Sequence, residues 1–147
     1  MTTPNIQVTT IVSSSKGFAV ACGFGKVHWF EKTDDKDYYR KVREIHIPID
    51  SNSADPAKSQ AQLITDMCIS PSEETIVACT DIHQLFSFTI SSTELTKMGD
   101  HSNFELLSYS FHYSQILGLD LCRRKPIIAT CAVDRSVRIW NYETKSV

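Results

Sequence analysis

The chain has 147 residues, of which 41% are hydrophobic and 22% charged, and its net charge is −2 at pH 7. A chain of this size can form one domain that buries about 68–70% of its unfolded surface. The near balance of charge predicts no general affinity for nucleic acids. The first ten residues have no basic segment before an apolar run, and no apolar run has the length of a membrane helix. Neither a secretory signal nor a membrane partner is therefore expected.

Three segments, residues 6–33, 63–90 and 116–144, share one order of elements. Each has an apolar strand, a polar turn, a strand of small residues, a second tight turn, and an alternating strand that ends in an aromatic residue. These closing aromatic residues are Phe30, Phe88 and Trp140. Short strands separated by turn signals, without a helical period, predict an all-β fold.

The turns of these units have suitable residues. Gly23 and Gly25 can reach positive φ in a hairpin turn, and Pro71 suits the second position of a type I turn. Pro126 is predicted at the start of a strand, where its missing N–H does least harm.

Further strands are predicted between the units. Residues 43–49 alternate, which places the isoleucines at 45, 47 and 49 inward. Residues 104–111 hold the same place after the second unit, so each repeat is predicted to have four strands. Residues 31–37 are predicted to form a charged loop, and residues 50–62 an exposed, mobile polar loop.

The five cysteines are odd in number and widely spaced, and each lies in an apolar stretch. They are Cys22, Cys68, Cys79, Cys122 and Cys131. This pattern predicts reduced, buried side chains in an intracellular protein rather than a disulfide framework. No Cys-x-x-Cys or His-x-x-x-His pair is present, so no metal and no cofactor are predicted.

The third unit ends in "RIWN", with Asp134 six residues before Trp140. Four-stranded units of this kind resemble the blades of the WD-repeat β-propeller family. The resemblance implies a hydrogen-bonded tetrad of His112, Thr130, Asp134 and Trp140 with a structural role. A buried carboxylate must be paired and a buried indole N–H needs an acceptor, so a relay from Trp140 through Thr130 and His112 to Asp134 is expected.

The first two units depart from this pattern. Phe30 and Phe88 stand where the tryptophan belongs, and neither has an obvious histidine partner. Asp81 is interpreted as a remnant of the turn aspartate, displaced by one residue. These two blades are therefore expected to be held by packing alone.

Two longer stretches resemble the cilia- and flagella-associated WD-repeat proteins. They are "GFGKVHWFEKTDDKDYYRKVREIHIP" (residues 23–48) and "ITDMCISPSEETIVACTDIHQLFSF" (residues 64–88). The resemblance implies a non-catalytic scaffold in the axoneme of cilia or flagella, with other axonemal proteins as partners and a cytoplasmic, cytoskeletal location. The chain has no heptad repeat, so no coiled-coil function is expected of it.

Partner binding is predicted at two exposed basic segments. In residues 35–44 the candidates are Tyr38, Tyr39 and Arg40, because tyrosine and arginine anchor many interfaces. In the turn "CRRKP" the candidates are Arg123 and Arg124. Aromatic residues among basic ones can also stack on bases, so a nucleic-acid-binding or enzymatic all-β domain that uses residues 35–44 is the alternative.

Two sets of residues resemble catalytic groups in type alone. His112, Thr130 and Asp134 could form a nucleophile–base–acid set, and Cys79 with His83 a thiol pair. The tetrad is favoured for the first set, because Thr130 is predicted on a strand rather than on a strained turn. An inert apolar cysteine is favoured for the second.

Residues 1–49 are predicted to form a first, degenerate blade, residues 63–111 a second, and residues 112–147 a WD-like third blade without its last strand. Closed propellers typically need 4–8 blades. The sequence thus predicts an open arc whose outer blades expose apolar faces and can self-associate. A short isoform or a fragment of a longer protein is expected.

Overall fold

The computed structural model describes residues 7–34, 38–90, 102–108 and 110–147. Predictions that concern residues 1–6, 35–37 and 109 lie outside this part of the chain. The described residues form twelve strands and one helical turn, α1 (Pro56–Ser59). The strands are β1 (Val8–Ser13), β2 (Gly17–Cys22), β3 (Lys26–Lys32), β4 (Tyr39–His46), β5 (Ile64–Ile69), β6 (Thr75–Thr80), β7 (Leu85–Thr89), β8 (Ser102–Asn103), β9 (Glu105–Leu106), β10 (Ile116–Leu121), β11 (Ile127–Ala132) and β12 (Val137–Asn141).

These strands form three sheets in chain order. The first sheet has the order β1-β2-β3-β4-β8, the second β5-β6-β7-β9 and the third β10-β11-β12. All neighbours are antiparallel except β4 and β8, which are parallel. The described residues thus form an all-β fold of three sheets that do not close into a ring, as the sequence predicted.

The central hairpins of the three sheets have one register. In each hairpin the first pair of opposed residues is Gly17 with Glu31, Thr75 with Thr89, and Ile127 with Asn141, respectively. The positions are offset by 58 residues (75 − 17) and then by 52 (127 − 75) in both strands of each hairpin. The same offsets join Phe30, Phe88 and Trp140, so the predicted equivalence of the closing aromatic residues is correct.

The hairpin turns also repeat. Gly25, His83 and Arg135 occupy the same turn position at φ of 65°, 61° and 63°. Only the first is glycine, so the other two adopt a left-handed conformation that disfavours their side chains. At Gly25 an added Cβ would lie 3.2 Å from Cβ of Ile47, which gives glycine a packing reason as well.

One apolar core joins the first two sheets. Val27, Ile45, Ile76 and Phe86 are each at most 2% exposed within it. Polar contacts close the same interface: the Thr10 hydroxyl donates to Asp66 (3.2 Å), and the Ser15 N–H donates to Glu73 (2.8 Å). The third sheet contributes no residue to this core cluster.

The predicted strand over residues 104–111 is wrong in its extent. β8 pairs with β4 in the first sheet, and β9 pairs with β7 in the second. Phe104 lies between these short strands, is 1% exposed, and contacts Phe88 edge-on with ring centroids 6.0 Å apart. The chain crosses from the first sheet to the second here, and the crossing places the Phe104 ring in the core that the two sheets share.

Two other predictions need correction. Ile45 and Ile47 are buried, but Ile49, which lies beyond Pro48 and past the end of β4, is 53% exposed. The segment 50–62 is not simply an exposed loop: it contains α1, and Gln62 is 1% exposed. Arg138 in β12 donates to Asp55 in this segment at 3.2 Å, which fixes the segment against the third sheet.

The cysteines are all free thiols, but only Cys22 is buried. Cys79 is half-buried, and Cys68, Cys122 and Cys131 are exposed. Burial was predicted wrongly for these last three. Cys131 is exposed because no sheet covers the outward face of β11, although the residue lies on a second strand as predicted.

The chain turns back on β12 after this strand ends. After a turn over residues 142–145, Ser146 forms a bridge with Asn141, whose N–H donates to the Ser146 carbonyl at 2.8 Å. The Asn141 side chain accepts the N–H groups of Glu143 and Thr144 and so stabilises the turn. The single described helix, α1, is too short to cross a membrane.

Candidate functional site

The four residues expected to form a tetrad are in one continuous chain of hydrogen bonds. The Trp140 indole Nε1–H donates to Thr130 Oγ1 at 2.7 Å. His112 Nε2 lies 2.7 Å from the same oxygen, and His112 Nδ1 lies 3.0 Å from Asp134 Oδ2. Trp140 is on β12 and Thr130 on β11, whereas His112 precedes β10. The chain of bonds therefore ties three parts of the third sheet together.

One arrangement of protons satisfies every member of this chain. Asp134 accepts from His112 Nδ1–H, and His112 Nε2 then accepts from the Thr130 hydroxyl. The Thr130 oxygen is left to accept from Trp140. Each group has its partner, as buried polar groups require.

Asp134 accepts further bonds from the turn that contains it. Ser136 donates to Asp134 Oδ1 through both its N–H (2.9 Å) and its hydroxyl (2.7 Å), and the Tyr113 N–H donates to Oδ2 (3.1 Å). Burial alone would raise the pKa of this carboxyl. The bonds from Ser136, His112 and Tyr113 outweigh burial and lower the pKa to about 2.

The tetrad geometry does not suit nucleophilic catalysis. The Thr130 hydroxyl is engaged on both sides, by His112 and by Trp140, and the residue is 5% exposed. A substrate could reach this oxygen only if the sheet opened. In the other candidate set, the Cys79 sulfur lies 3.3 Å from the Thr65 hydroxyl, and His83 lies in the turn after β6.

The second sheet is not held by packing alone, which corrects the prediction. Gln62, Thr80 and Gln84 are buried polar residues, each at most 5% exposed. The Thr80 hydroxyl donates to Gln62 Oε1 at 2.7 Å and lies 3.3 Å from the Gln84 N–H, which donates to it. The second sheet thus has its own buried polar network where the third has the tetrad.

This network also reaches the third sheet. The Gln84 side chain accepts the Phe111 N–H and donates to the Phe111 carbonyl, both at 3.1 Å. Phe111 precedes His112, so the amide of Gln84 positions the residue before the tetrad histidine. By the register of the hairpins, Gln84 stands at the position of Ser136. A glutamine at this position, shortly after the displaced turn aspartate Asp81, was the sequence feature from which this contact could have been predicted.

Asp81 makes one of the hydrogen bonds that the turn aspartate, Asp134, makes in the third sheet. Its Oδ1 accepts the Leu63 N–H at 2.8 Å, as Asp134 accepts the Tyr113 N–H. By the register of the hairpins, Ile82 corresponds to Asp134, so Asp81 is one residue early. Both aspartates tie the turn to the chain before the first strand of their sheet.

The exposed candidates in the first sheet lie at the start of β4. Tyr38 is 72% and Tyr39 50% exposed, and Arg40 is exposed as well. The Tyr39 ring contacts Phe18 edge-on with centroids 5.1 Å apart, which fixes one of the two aromatic rings. The Thr33 N–H and hydroxyl both donate to the Tyr38 carbonyl, which closes the loop that presents these residues.

Arg123 and Arg124 are exposed in the turn between β10 and β11. In antiparallel meanders, the turn after the first strand and the turn after the third lie at the same end. The arginine turn and the Tyr38 loop therefore lie at equivalent ends of their sheets, although on different sheets. We call this the turn end, defined by residues 14–16, 33–34, 38, 70–74 and 122–126.

A cleft of about 430 Å³ opens at the turn end between the first two sheets. Its charged lining residues are Lys16, Glu31, Arg43, Glu73 and Glu74. The Trp29 indole N–H donates to Glu31 at 3.1 Å, and desolvation lowers the pKa of Arg43. Among the described residues, no group of three or more His, Cys, Asp or Glu could hold a metal ion.

The third sheet and the segment before it match a known protein family. The family model described as "WD domain, G-beta repeat" matches residues 104–141. This segment contains the whole tetrad and the strands that carry it. Residues 104–141 thus match a WD repeat, and the tetrad lies wholly within the matched segment.

Similar proteins extend this likeness to almost the whole chain. The chain is 52% identical to mouse cilia- and flagella-associated protein 57 over 141 residues, which are 96% of this chain and 11% of the relative. Cilia- and flagella-associated protein 57 A of Tetrahymena thermophila is 34% identical over 87% of this chain and 9% of that protein. The chain therefore spans about a tenth of the length of these relatives.

Two solved structures match the chain at low identity. They are "Structure of U3-55K" (16% identical, TM-score 0.47, 99% of this chain and 39% of that chain) and "Crystal structure of RRP9 WD40 repeats" (15% identical, TM-score 0.47, 99% and 38%).

Proposed function

We propose that this chain is a non-catalytic protein-interaction scaffold that acts in the assembly or motility of the axoneme of cilia or flagella. The observation that carries the proposal is the 52% identity to a cilia- and flagella-associated protein over 96% of this chain. Likeness of this degree over so much of the chain implies the same fold and favours a related setting. In this proposal the chain works inside the cell, in the cytoskeleton of the cilium or flagellum.

The geometry supports binding rather than chemistry. The Thr130 hydroxyl, the His112 imidazole and the Asp134 carboxylate are hydrogen-bonded within the tetrad, which stabilises the blade. The exposed tyrosines and arginines lie at the turn end, where loops are presented by rigid strands. Aromatic rings and guanidinium groups anchor protein interfaces, so we assign partner binding to Tyr38, Tyr39, Arg40, Arg123 and Arg124.

The partners in this proposal are other proteins, with axonemal components as the natural class. No specific observation favours binding of nucleic acid or a membrane.

Affinity purification from ciliated cells tests the proposal. The wild-type chain is compared with a Tyr38→Ala, Tyr39→Ala, Arg40→Ala variant and with Arg123→Ala, Arg124→Ala. Phe24→Ala is the matched control, because Phe24 is 66% exposed in the turn between β2 and β3, at the opposite end of the sheet. We expect wild type and control to enrich the same axonemal proteins, and at least one turn-end variant to lose them.

Equal enrichment by every variant would contradict the turn end as the binding surface. Enrichment of no axonemal protein by the wild-type chain would contradict the ciliary role. Salt-sensitive binding of purified chain to RNA or DNA, lost in the Tyr38 variant, would support the nucleic-acid alternative instead.

A further inference from the structure

An apolar cavity of about 380 Å³ opens between the segment that follows β4 and the short strand β9. Phe86 and Phe104, from the core that the first two sheets share, line its buried part. Leu106 lines it from β9, and Pro48 and Ile49 line it from the segment after β4. A cavity of this volume is at the lower end of the range for ligand pockets and accommodates an apolar side chain.

The cavity lies at the end of the sheets opposite the turn end. His46, the last residue of β4, pairs with Lys26, which directly follows the first hairpin turn. Leu106 pairs with Phe86, which follows the corresponding turn of the second sheet. The cavity is therefore separate from the surface to which partner binding is assigned above.

The backbone of β9 has an open edge beside this cavity. β9 is the last strand in the order of the second sheet, and in the described part of the chain no strand pairs with its other edge. The Leu107 N–H donates to the Leu85 carbonyl at 3.0 Å, so the adjacent pair, Leu106 with Phe86, exchanges no hydrogen bonds. The N–H and carbonyl of Leu106 consequently point away from β7. An open strand edge beside an apolar cavity is a combination that binds extended peptides.

Three charged side chains also line the cavity, namely Asp50, Lys58 and Glu105. All three residues are exposed, and none of them forms an ion pair with another described residue. The carboxylates lie on both sides of the cavity, Asp50 after β4 and Glu105 on β9, whereas the one ammonium group lies on a single side. This surplus of negative charge is complementary to a cationic partner.

We propose that the cavity binds an extended segment of a partner protein in which an apolar side chain lies between basic ones. The segment adds to the open edge of β9 and bonds the backbone of Leu106. Its apolar side chain occupies the cavity, and the neighbouring lysine or arginine side chains pair with Asp50 and Glu105. The inference rests on the proposed interaction role and names a second surface and the chemistry of its partner.

Fluorescence anisotropy of the purified chain with synthetic peptides tests this proposal. The Lys peptide is fluorescein-labelled Ser-Gly-Lys-Thr-Leu-Thr-Lys-Gly-Ser, in which both lysines lie on the same side of an extended strand as the leucine. The Glu peptide has glutamate in place of both lysines. The Ser peptide has serine in place of the leucine.

Two variants change the cavity, and each has a matched control elsewhere. Glu105→Lys reverses one charge of the lining, and Glu143→Lys changes the net charge equally at an exposed residue that does not line the cavity. Ile49→Ser removes part of the apolar lining. Its control is Phe24→Ser, because Ile49 is 53% and Phe24 66% exposed and Phe24 does not line the cavity. Thermal unfolding checks that each variant retains the fold, as expected for exposed positions.

We expect wild type to bind the Lys peptide about tenfold more tightly than the Glu peptide or the Ser peptide, since ion pairs and one buried apolar side chain contribute on this scale. Glu105→Lys should reverse the preference between the Lys and Glu peptides. Ile49→Ser should weaken binding of the Lys peptide about fivefold. Both control variants should bind as wild type does.

The proposal would be overturned by a wild-type chain that binds none of the peptides, or that binds the Glu peptide as tightly as the Lys peptide. Unchanged binding by Ile49→Ser would overturn it too. Equal weakening by Glu105→Lys and Glu143→Lys would do the same, because it would indicate a general attraction between a cationic peptide and a negatively charged chain.

A last variant separates this cavity from the turn end. The Tyr38→Ala, Tyr39→Ala, Arg40→Ala variant should bind the Lys peptide as wild type does, and loss of binding would overturn the assignment to the cavity. Capture of axonemal proteins at the turn end is measured independently of these peptides, so either proposal can fail while the other holds.

Discussion

The first two sheets and the third sheet repeat one register but are stabilised by different interactions. Val27 and Phe86 belong to an apolar core shared by two sheets, and neither is more than 2% exposed. In the third sheet, Val137 stands at the position of Val27 and is 69% exposed. That sheet is held instead by a buried relay from Trp140 to Asp134. The comparison indicates that the third sheet depends mainly on internal polar bonds, whereas the first two sheets depend mainly on the apolar core they share, with a buried polar network in the second sheet besides.

The two regions are joined by few but specific contacts. The Gln84 amide bonds the backbone of Phe111 at two points, and Arg138 bonds the Ser110 carbonyl (3.0 Å) and Asp55 (3.2 Å). These are polar contacts rather than a continuous apolar interface. The third sheet can therefore respond to mutation separately from the shared core.

The largest expected effect is in the shared core. Phe104→Ala removes a 1% exposed ring that packs against Phe88, and should lower the free energy of unfolding by about 3–5 kcal/mol. Chemical denaturation measures this loss. Leu107→Ala is the control: Leu107 is 50% exposed, so its change should stay within about 0.5 kcal/mol. A loss for Phe104→Ala no larger than that of the control would contradict the core described above.

The tetrad should be the next most sensitive site. Asp134→Ala leaves His112, Ser136 and the Tyr113 N–H without their acceptor, and should lower the free energy of unfolding by about 1–3 kcal/mol. Denaturation with tryptophan fluorescence follows the change. Asp120→Ala, an exposed carboxylate on the same sheet, is the control and should have little effect. Equal effects of the two substitutions would remove the structural role assigned to the tetrad.

The tetrad also predicts a pH dependence. The pKa of Asp134 is lowered from 3.8 to about 2 in the folded chain, so its ionised form stabilises the fold. This stability, roughly 2 kcal/mol, is fully present above about pH 4 and is lost as pH falls towards 2. Thermal unfolding across this range should show a steeper loss for wild type than for Asp134→Asn. Parallel curves for the two proteins would show that this carboxyl has no special contribution.

The smallest expected effects concern the thiols, which report exposure without changing stability. Cys131 is exposed on β11, on the side of the sheet opposite Thr130, and should react rapidly with a thiol reagent in native buffer. Cys22, at the end of β2, is buried, and burial raises its pKa, so its reaction should be the slowest. Mass spectrometry of timed labelling distinguishes them. Slow reaction of Cys131 would indicate that its face is covered in solution.

Much of the fold could be read from the sequence because strands and turns are local features. The closing aromatic residues and the glycine turn at 23–25 predicted the hairpins in their correct register. The spacing of Asp134 and Trp140, with the resemblance to WD blades, identified the residues that the structure brings together in the tetrad.

What failed depended on contacts between sheets. The burial of Cys131 could not be judged without knowing that no sheet covers it. The crossing at Phe104 depends on a core formed by two sheets, and the Gln84 amide acts on a backbone 27 residues away. A strand pattern shows which side chains share a face, but not whether that face has a neighbour.

Native-state hydrogen exchange tests the central comparison most directly, because it measures the opening of each sheet separately. We expect the amides of β11 to exchange through an opening of lower free energy than those of β2 and β6. We also expect Asp134→Ala to lower the opening free energy of β11 while β2 and β6 stay protected. Equal opening free energies in all three strands, lowered together by Asp134→Ala, would contradict two separately stabilised regions.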